Sequence, residues 1–177
     1  MTQAITHYLK KDTPNPTLLV GYDTRFASRN FAQQVPDVLT TNDVQVQLLS
    51  NSIPTPSVSF STIHRKLDGA INITASHNPG EYNGLKFSGP NGSIALPRIT
   101  EVIEREIERL QQSGWEFSAS LSPSLIELVD LRDEYLSELR SKVDFDKIRS
   151  PRNTRWLQVH WQIYQGSSNH LGWRIKC

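Results

Sequence analysis

The chain is poor in cysteine: among its 177 residues the only one is Cys177, at the last position. A single cysteine excludes an intrachain disulfide framework and a cysteine-based zinc site, and it is typical of the reducing cytoplasm. No apolar run approaches the roughly 18 residues that a membrane-spanning helix needs, and residues 1–17 lack the charged-then-apolar order of a signal peptide. We therefore expect a cytoplasmic protein without a membrane partner.

The C-terminal segment, residues 149–177, lacks acidic residues, because all 18 of them lie at or before Asp146. It also shows neither helical nor strand periodicity, so we predict an irregular tail there. A shifted reading frame or a truncated gene would account for both changes. The segment holds three of the four tryptophans and five basic residues: Arg149, Arg152, Arg155, Arg174 and Lys176. Such residues can bind single-stranded nucleic acid, but without a recognisable fold we do not expect a nucleic-acid partner.

Apolar runs and helical patterns alternate between residues 17 and 110. Short apolar runs predict strands at residues 17–22, 44–49 and 69–74, and helical spacing predicts helices at residues 28–41 and 57–67 and another that begins at Pro97. This alternation predicts an α/β fold with a mixed, largely parallel sheet that is covered by helices. Ser28 is the predicted N-cap of the first helix, and Pro36 is expected to kink or shorten it.

The remaining segments fix the predicted domain limits. Residues 87–92 are rich in turn-forming residues, and residues 125–148 have a helical period with many charge pairs. We predict a first domain at residues 1–122, a linker and the opening helix of a second domain at 123–148, and the irregular tail at 149–177.

Reactive side chains follow the third predicted strand directly, in the sequence INITASHNPGEYNGLKFSG at residues 71–89. The strand fixes the position of Ser76, and Pro79 must leave the sheet because it cannot donate to a ladder. Ligands of such sheets collect beyond the carboxyl ends of the strands. The sequence therefore predicts a rigid, exposed hydroxyl at a candidate site.

The chemistry of that hydroxyl has several possible forms. Adjacent residues of an extended chain point to opposite sides, so we expect Ser76 and His77 to be poorly placed for a serine–histidine relay. Phosphoryl transfer fits better, because it needs mainly positioning and charge neutralisation. The oxygens of a phosphoserine could hold Mg²⁺, with His77 and Lys86 as nearby donors once the Asn83-Gly84 turn brings Lys86 back. A mutase, a hydrolase and a kinase-like step all remain open at this point.

The segment Thr74–Pro79, continued by Tyr82-Asn83-Gly84-x-Lys86, resembles the active-site signature of the α-D-phosphohexomutases, the phosphoglucomutase and phosphomannomutase family. The segments 21–25 and 53–56 resemble two further motifs of that family. The resemblance implies domain I of an isomerase, an intramolecular phosphotransferase that interconverts hexose 1-phosphate and 6-phosphate through a bisphosphorylated sugar.

The same resemblance implies roles for particular residues. Ser76 would be the phosphoserine and, through its phosphate, a ligand of Mg²⁺; Lys86 would be a general acid/base, His77 a polar stabiliser, and Arg25 a brace of the loop. The substrate would be a hexose phosphate, and neither its identity nor an oligomeric state is predicted.

The sequence also departs from the family pattern. It contains neither the Asp-Gly-Asp-x-Asp-Arg metal loop, nor the Gly-Glu-x-Ser-Gly sugar loop, nor the C-terminal phosphate loop. The alternative to an enzyme is therefore a non-catalytic fragment that keeps the domain I fold and at most a weak anion site.

Overall fold

One five-stranded sheet organises the protein. The structure, a computed structural model, describes residues 1–117 and 122–149. The strands lie in the order β4-β3-β1-β2-β5. Their bounds are β1 Thr17–Tyr22, β2 Gln45–Leu49, β3 Gly69–Ile73, β4 Leu85–Ser88 and β5 Ile126–Val129. The pairs β1–β2, β1–β3 and β2–β5 are parallel and β3–β4 is antiparallel, which confirms the predicted mixed, largely parallel sheet.

Six α-helices are present in the described residues. They are α1 Thr2–Leu9, α2 Ser28–Thr41, α3 Thr55–His64, α4 Pro97–Gln112, α5 Arg132–Lys142 and α6 Phe145–Arg149, and a short 3₁₀ helix spans Pro123–Leu125. None of the helices within the described ranges is long and apolar enough to cross a membrane.

The chain divides into two compact units. The first, Met1–Leu136, contains the whole sheet. The second, Ser137–Cys177, is described only to residue 149, and there Lys142 pairs with Glu138 at 2.6 Å and Lys147 with Asp144 at 3.2 Å. The predicted irregular tail lies outside the described residues, apart from Arg149 at the end of α6.

The core lies along the central strands. Leu18, Leu19 and Val20 of β1 and Ile71 of β3 are completely buried. Central parallel strands are covered on both faces and therefore carry continuous apolar runs, which is why the sequence predicts them well. Close packing also explains Gly69, because a Cβ atom there would lie 2.7 Å from the carbonyl oxygen of Ser88.

The structure corrects the N-cap predicted for α2 and shows that Pro36 does not shorten this helix. Val35 and Leu39, which lie on either side of Pro36 in the sequence, are buried against the core. The helix continues to Thr41 without shortening. Packing of this face outweighs the single backbone hydrogen bond that proline removes. Ser28 is not the N-cap; that position is Ala27, and the Ser28 hydroxyl donates instead to Asp23.

Three further elements differ from expectation. The segment 87–92 begins inside β4, where Phe87 is buried and packs edge-to-face on Tyr8 of the unpredicted helix α1 at 6.1 Å. The helix predicted from residue 57 begins at Thr55, with Pro56 in its first turn. The helix predicted at 125–148 is wrong at its start, because residues 126–129 form β5 and extend the sheet beyond residue 122. The predicted domain limits themselves stay a prediction.

Candidate phosphoryl-transfer site

Two loops meet at the carboxyl edge of the sheet. One follows β1 and contains Asp23 and Arg25, and the other follows β3 and contains Ser76. β1 and β3 are direct neighbours, paired in register from Leu18 with Gly69 to Tyr22 with Ile73. The chain leaves β1 towards β2 on one side and returns to β3 on the other, so the two loops flank the point where the strand order reverses.

Ser76 is exposed and has an unusual backbone conformation. Its φ is 58°, in the left-handed region that residues other than glycine rarely adopt. Its N–H donates to Thr74 Oγ1 at 3.0 Å, and its carbonyl accepts from Arg25 Nη2 at 2.6 Å. Strained backbone persists only where surrounding contacts hold it, and here both polar groups of the residue are held.

The guanidinium group of Arg25 binds the serine loop, defined here as residues 75–83. Nη1 donates to the carbonyls of Pro79 at 2.7 Å and Tyr82 at 3.2 Å, and Nη2 donates to those of Ser76 and Asn78, both at 2.6 Å. A guanidinium has five donors in a rigid planar fork, which suits it to several acceptors at once. These contacts match the bracing role that the resemblance implies for Arg25.

His77 lies next to the candidate hydroxyl. Ser76 Oγ and His77 Nδ1 are 3.3 Å apart and share a hydrogen bond. The expectation that the two side chains point apart is therefore wrong, because the left-handed φ of Ser76 turns a chain that was assumed to be extended. Among the described residues no carboxylate orients the other ring nitrogen, so a hydrolase-type triad is not formed.

Lys86 is placed differently from Ser76 and His77. It lies half-buried on β4 and pairs with Asn72 of β3, so the two side chains share a face of the sheet. In the described part of the chain it makes no hydrogen bond with Ser76 or His77. The expected catalytic roles of Ser76, His77 and Lys86 stay predictions.

The turn before Lys86 anchors the far end of the serine loop. The Asn83 side-chain amide donates to the carbonyl of Phe26 at 3.0 Å and to Ser28 Oγ at 2.9 Å. The carbonyl of Gly84 accepts from the N–H of Thr74 at 2.9 Å. The Asn83-Gly84 turn thus connects both site loops, a contact that sequence spacing does not reveal.

Asp23 supplies a half-buried negative charge at the site. Its carboxylate accepts from the Arg25 N–H at 3.0 Å and from Ser28 Oγ at 2.8 Å, and Arg25 Nε lies 3.4 Å away. Burial raises the pKa of Asp23. Hydrogen bonds with Thr74, Arg25 and Ser28 and the charge of Arg25 together have a larger, opposite effect, so the pKa lies below its ordinary value. The carboxylate is therefore ionised at neutral pH.

A shallow cavity of about 330 Å³ adjoins this loop and is lined by Asp23, Thr24, Ser52, Ile53 and Pro54. The N–H of Ile53 donates to the carbonyl of Tyr22 at 3.1 Å and so fixes the Ile53-Pro54-Thr55-Pro56 loop against the end of β1. The polar edge of the sheet is therefore concave next to Asp23.

The family comparison agrees with this geometry. The model of the phosphoglucomutase/phosphomannomutase α/β/α domain I matches residues 1–114. The chain belongs to this family. The resemblance seen in the motifs at residues 21–25, 53–56 and 74–86 is thereby confirmed for the N-terminal domain.

Relatives and solved structures match the same domain. A phosphoglucomutase of Staphylococcus saprophyticus is 30% identical over 146 residues, which cover 78% of this chain and 26% of that protein. A phosphoglucomutase of Staphylococcus epidermidis is 39% identical over 104 residues, 59% of this chain and 19% of that protein. A crystal structure described as a phosphomannomutase of Thermus thermophilus superposes with a TM-score of 0.72 at 29% identity and covers 82% of this chain and 31% of that one. The chain thus spans less than a third of the length of these relatives.

The described residues do not fit a magnesium site of their own. Residues 1–117 and 122–149 contain no group of three or more His, Cys, Asp or Glu side chains that could hold a metal ion. Mg²⁺ demands near-octahedral oxygen coordination, which a single phosphoserine does not supply. In this phosphohexomutase domain the role of Ser76 as a metal ligand therefore stays a prediction.

Proposed function

We propose that this chain carries the serine-bearing domain of an intramolecular phosphotransferase that interconverts hexose 1-phosphate and hexose 6-phosphate. The observation that supports it most is the exposed Ser76 hydroxyl, on a backbone bound from both sides at the carboxyl edge of the sheet. Phosphoryl transfer requires such a fixed oxygen more than it requires covalent chemistry from the protein. The proposed location is the cytoplasm and the proposed partner is a hexose phosphate.

The proposed reaction has two transfers. In the first, the bond between phosphorus and Ser76 Oγ breaks, a bond forms between phosphorus and a sugar hydroxyl oxygen, and the amine of Lys86 relays the proton of that hydroxyl to Ser76 Oγ. In the second, the Ser76 hydroxyl oxygen takes the other phosphoryl group of the bisphosphorylated sugar, and Lys86 relays the serine proton to the sugar oxygen that is released. His77, 3.3 Å from the serine oxygen, donates a hydrogen bond to the transferring group.

The contacts of the serine loop limit the competing assignments. A hydrolase-type relay needs a third group that orients the histidine, and the described residues provide none for His77. A non-catalytic fragment that keeps the domain I fold would also keep the four carbonyl contacts of Arg25, so these contacts do not distinguish it from an enzyme. Because this chain covers less than a third of the length of these relatives, a non-catalytic fragment is the alternative that an experiment must exclude.

The test is phosphate transfer to one serine. The purified chain is incubated with glucose 1,6-bisphosphate and magnesium, and intact mass and peptide mapping measure the uptake of one phosphoryl group. We expect uptake at Ser76 and none in Ser76→Ala. Ser93→Ala is the matched control, since Ser93 is also an exposed loop serine, and it should be labelled like the parent. A parent chain that takes up no phosphate at Ser76 would favour the non-catalytic fragment.

A further inference from the structure

Two connections run from Asp23 to the backbone of Ser76. In the first, the backbone N–H and the Nε of Arg25 bind the Asp23 carboxylate, and Arg25 Nη2 donates to the carbonyl of Ser76 at 2.6 Å. In the second, the Thr74 side chain interacts with the Asp23 carboxylate and lowers its pKa, and Thr74 Oγ1 accepts from the N–H of Ser76 at 3.0 Å. One carboxylate is thus connected to both polar backbone groups of Ser76.

The same carboxylate reaches the other end of the serine loop. Ser28 Oγ donates to Asp23 Oδ1 at 2.8 Å and accepts from the side-chain amide of Asn83 at 2.9 Å. Asn83 ends the loop that begins after Thr74. Asp23 therefore joins the start and the end of the loop through side chains that are themselves buried or half-buried.

The left-handed conformation of Ser76 depends on these connections. A return of Ser76 to an extended φ would rotate its carbonyl away from Arg25 and would carry Oγ away from His77. The N–H of Ser76 precedes the rotating bond, so its hydrogen bond to Thr74 fixes the start of the turn and does not itself resist the rotation. Loss of a hydrogen bond from a charged donor is unfavourable, so the contact with Arg25 opposes that rotation. We infer that Asp23 is a positioning residue, whose carboxylate holds Ser76 in the conformation that places its hydroxyl beside His77. The consequence for phosphoryl transfer rests on the proposed function.

The chain contains an internal comparison for this inference. Asp130 follows β5 as Asp23 follows β1, and Arg132 binds it through its N–H at 3.2 Å and Nε at 3.0 Å. Apart from this turn, the only other side chain of the described residues that binds Asp130 is Asn51. An Asp-x-Arg turn after a strand is therefore a local structure, and the contacts with Thr74 and Ser28 distinguish Asp23.

The experiment compares Asp23→Asn with the matched control Asp130→Asn in the full chain. The first readout is nuclear magnetic resonance of the unphosphorylated protein. In Asp23→Asn we expect the Cα and Cβ chemical shifts of Ser76 to leave the left-handed range and the Ser76 amide to exchange at least about tenfold faster. In Asp130→Asn both should match the parent, and melting temperatures identify any general loss of stability.

The second readout is the rate of phosphate uptake at Ser76, which we expect to fall at least about tenfold in Asp23→Asn and to stay unchanged in Asp130→Asn. If Asp23→Asn does not fold, Thr74→Val removes one of the two connections with little change of shape and should shift the Ser76 signals. Unchanged Ser76 shifts and exchange in a folded Asp23→Asn would overturn the inference. A parent chain without phosphate uptake would contradict the proposed function only, because the first readout does not depend on it.

Discussion

Arg25 Nη2 lies 2.6 Å from the carbonyl oxygen of Ser76, although the two residues belong to loops that follow different strands. The contact joins the end of β1 to the end of β3, and the side chain of Arg25 is only 13% exposed. The backbone of the candidate phosphoserine is therefore part of the packed edge of the sheet, while its hydroxyl is left at the surface.

Replacement of Arg25 by lysine should loosen the serine loop. An ammonium group is a compact donor that cannot span four carbonyls, and a hydrogen bond to a charged group contributes about 1.5–3 kcal/mol. We expect the amides of Asn78 and Tyr82 to exchange at least about tenfold faster in Arg25→Lys, since about 1.4 kcal/mol corresponds to a factor of ten. Arg132→Lys is the control, and equal exchange in both variants would contradict the bracing role.

The stability of Ser76 variants should follow how readily the new residue adopts a positive φ. Glycine adopts a positive φ without penalty, whereas an L-residue pays about 1–2 kcal/mol there. We expect Ser76→Gly to be more stable than Ser76→Ala by about 1 kcal/mol, as measured by urea denaturation. Equal stability of the two variants would show that Ser76 does not hold its φ of 58° in solution.

Gly69 should not tolerate a methyl group. A Cβ atom at this position would lie 2.7 Å from the Ser88 carbonyl oxygen and 3.1 Å from Phe87 Cε2, so β4 would have to move. We expect Gly69→Ala to destabilise the fold by about 1–3 kcal/mol. Gly80→Ala is the matched control, because no atom of the described residues lies within 4 Å of its added Cβ, and its denaturation midpoint should stay close to that of the parent.

The strand β5 gives a test of where the first domain ends. Leu131, which follows the strand, is completely buried, whereas Leu128 within it is 69% exposed. We expect Leu131→Ala to lower the free energy of unfolding by about 2–5 kcal/mol and Leu128→Ala to change it by less than about 0.5 kcal/mol. Similar, small effects of both substitutions would place residues 126–131 outside the core.

Glu106 should make stability depend on acidic pH. Hydrogen bonds from Arg109 and then from His7, with the charges of both, lower its pKa from 4.5 to about 2. A carboxylate with a depressed pKa stabilises the folded state above its ordinary pKa, and that contribution is lost as the pH falls through the folded-state value. The melting temperature of Glu106→Gln should therefore be lower than that of the parent above pH 4.5, and the difference should vanish near pH 2.

The exposed Glu104 of the same helix provides the control for the substitution. Glu104→Gln should melt like the parent at neutral pH, where Glu106→Gln is expected to melt at a lower temperature. A constant difference between Glu106→Gln and the parent at all pH values would indicate lost packing instead of lost charge.

The central strands and the exposed serine could be predicted because each depends on local sequence. β1 and β3 are buried on both faces and carry continuous apolar runs, and Ser76 follows such a run directly. The short edge strands could not be predicted with the same success. β4 and β5 have four residues each, too few for a period of two to be told from a helical one, and their partners in the sheet define them.

The relation between Ser76 and His77 was mispredicted for a different reason. A serine with a positive φ is uncommon, so sequence reasoning assumed an extended chain. The contact of the Ser76 carbonyl with Arg25, which lies 51 residues away along the chain, holds this conformation, and the hydrogen bond to Thr74 fixes the start of the turn. Asp23, Ser28 and Asn83 were missed as site residues for the same reason, because their contacts exist only once β1 and β3 lie side by side.

The antiparallel pairing of β3 with β4 has a consequence for how such a site can diversify. The connections from β1 to β2, from β2 to β3 and from β4 to β5 each contain a helix. The segment between β3 and β4 is instead a hairpin connection. Residues can be inserted, deleted or exchanged within a hairpin without rerouting the chain through the rest of the sheet. The reactive segment can thus vary in length and sequence without a change of topology, provided that it keeps the carbonyls that Arg25 binds.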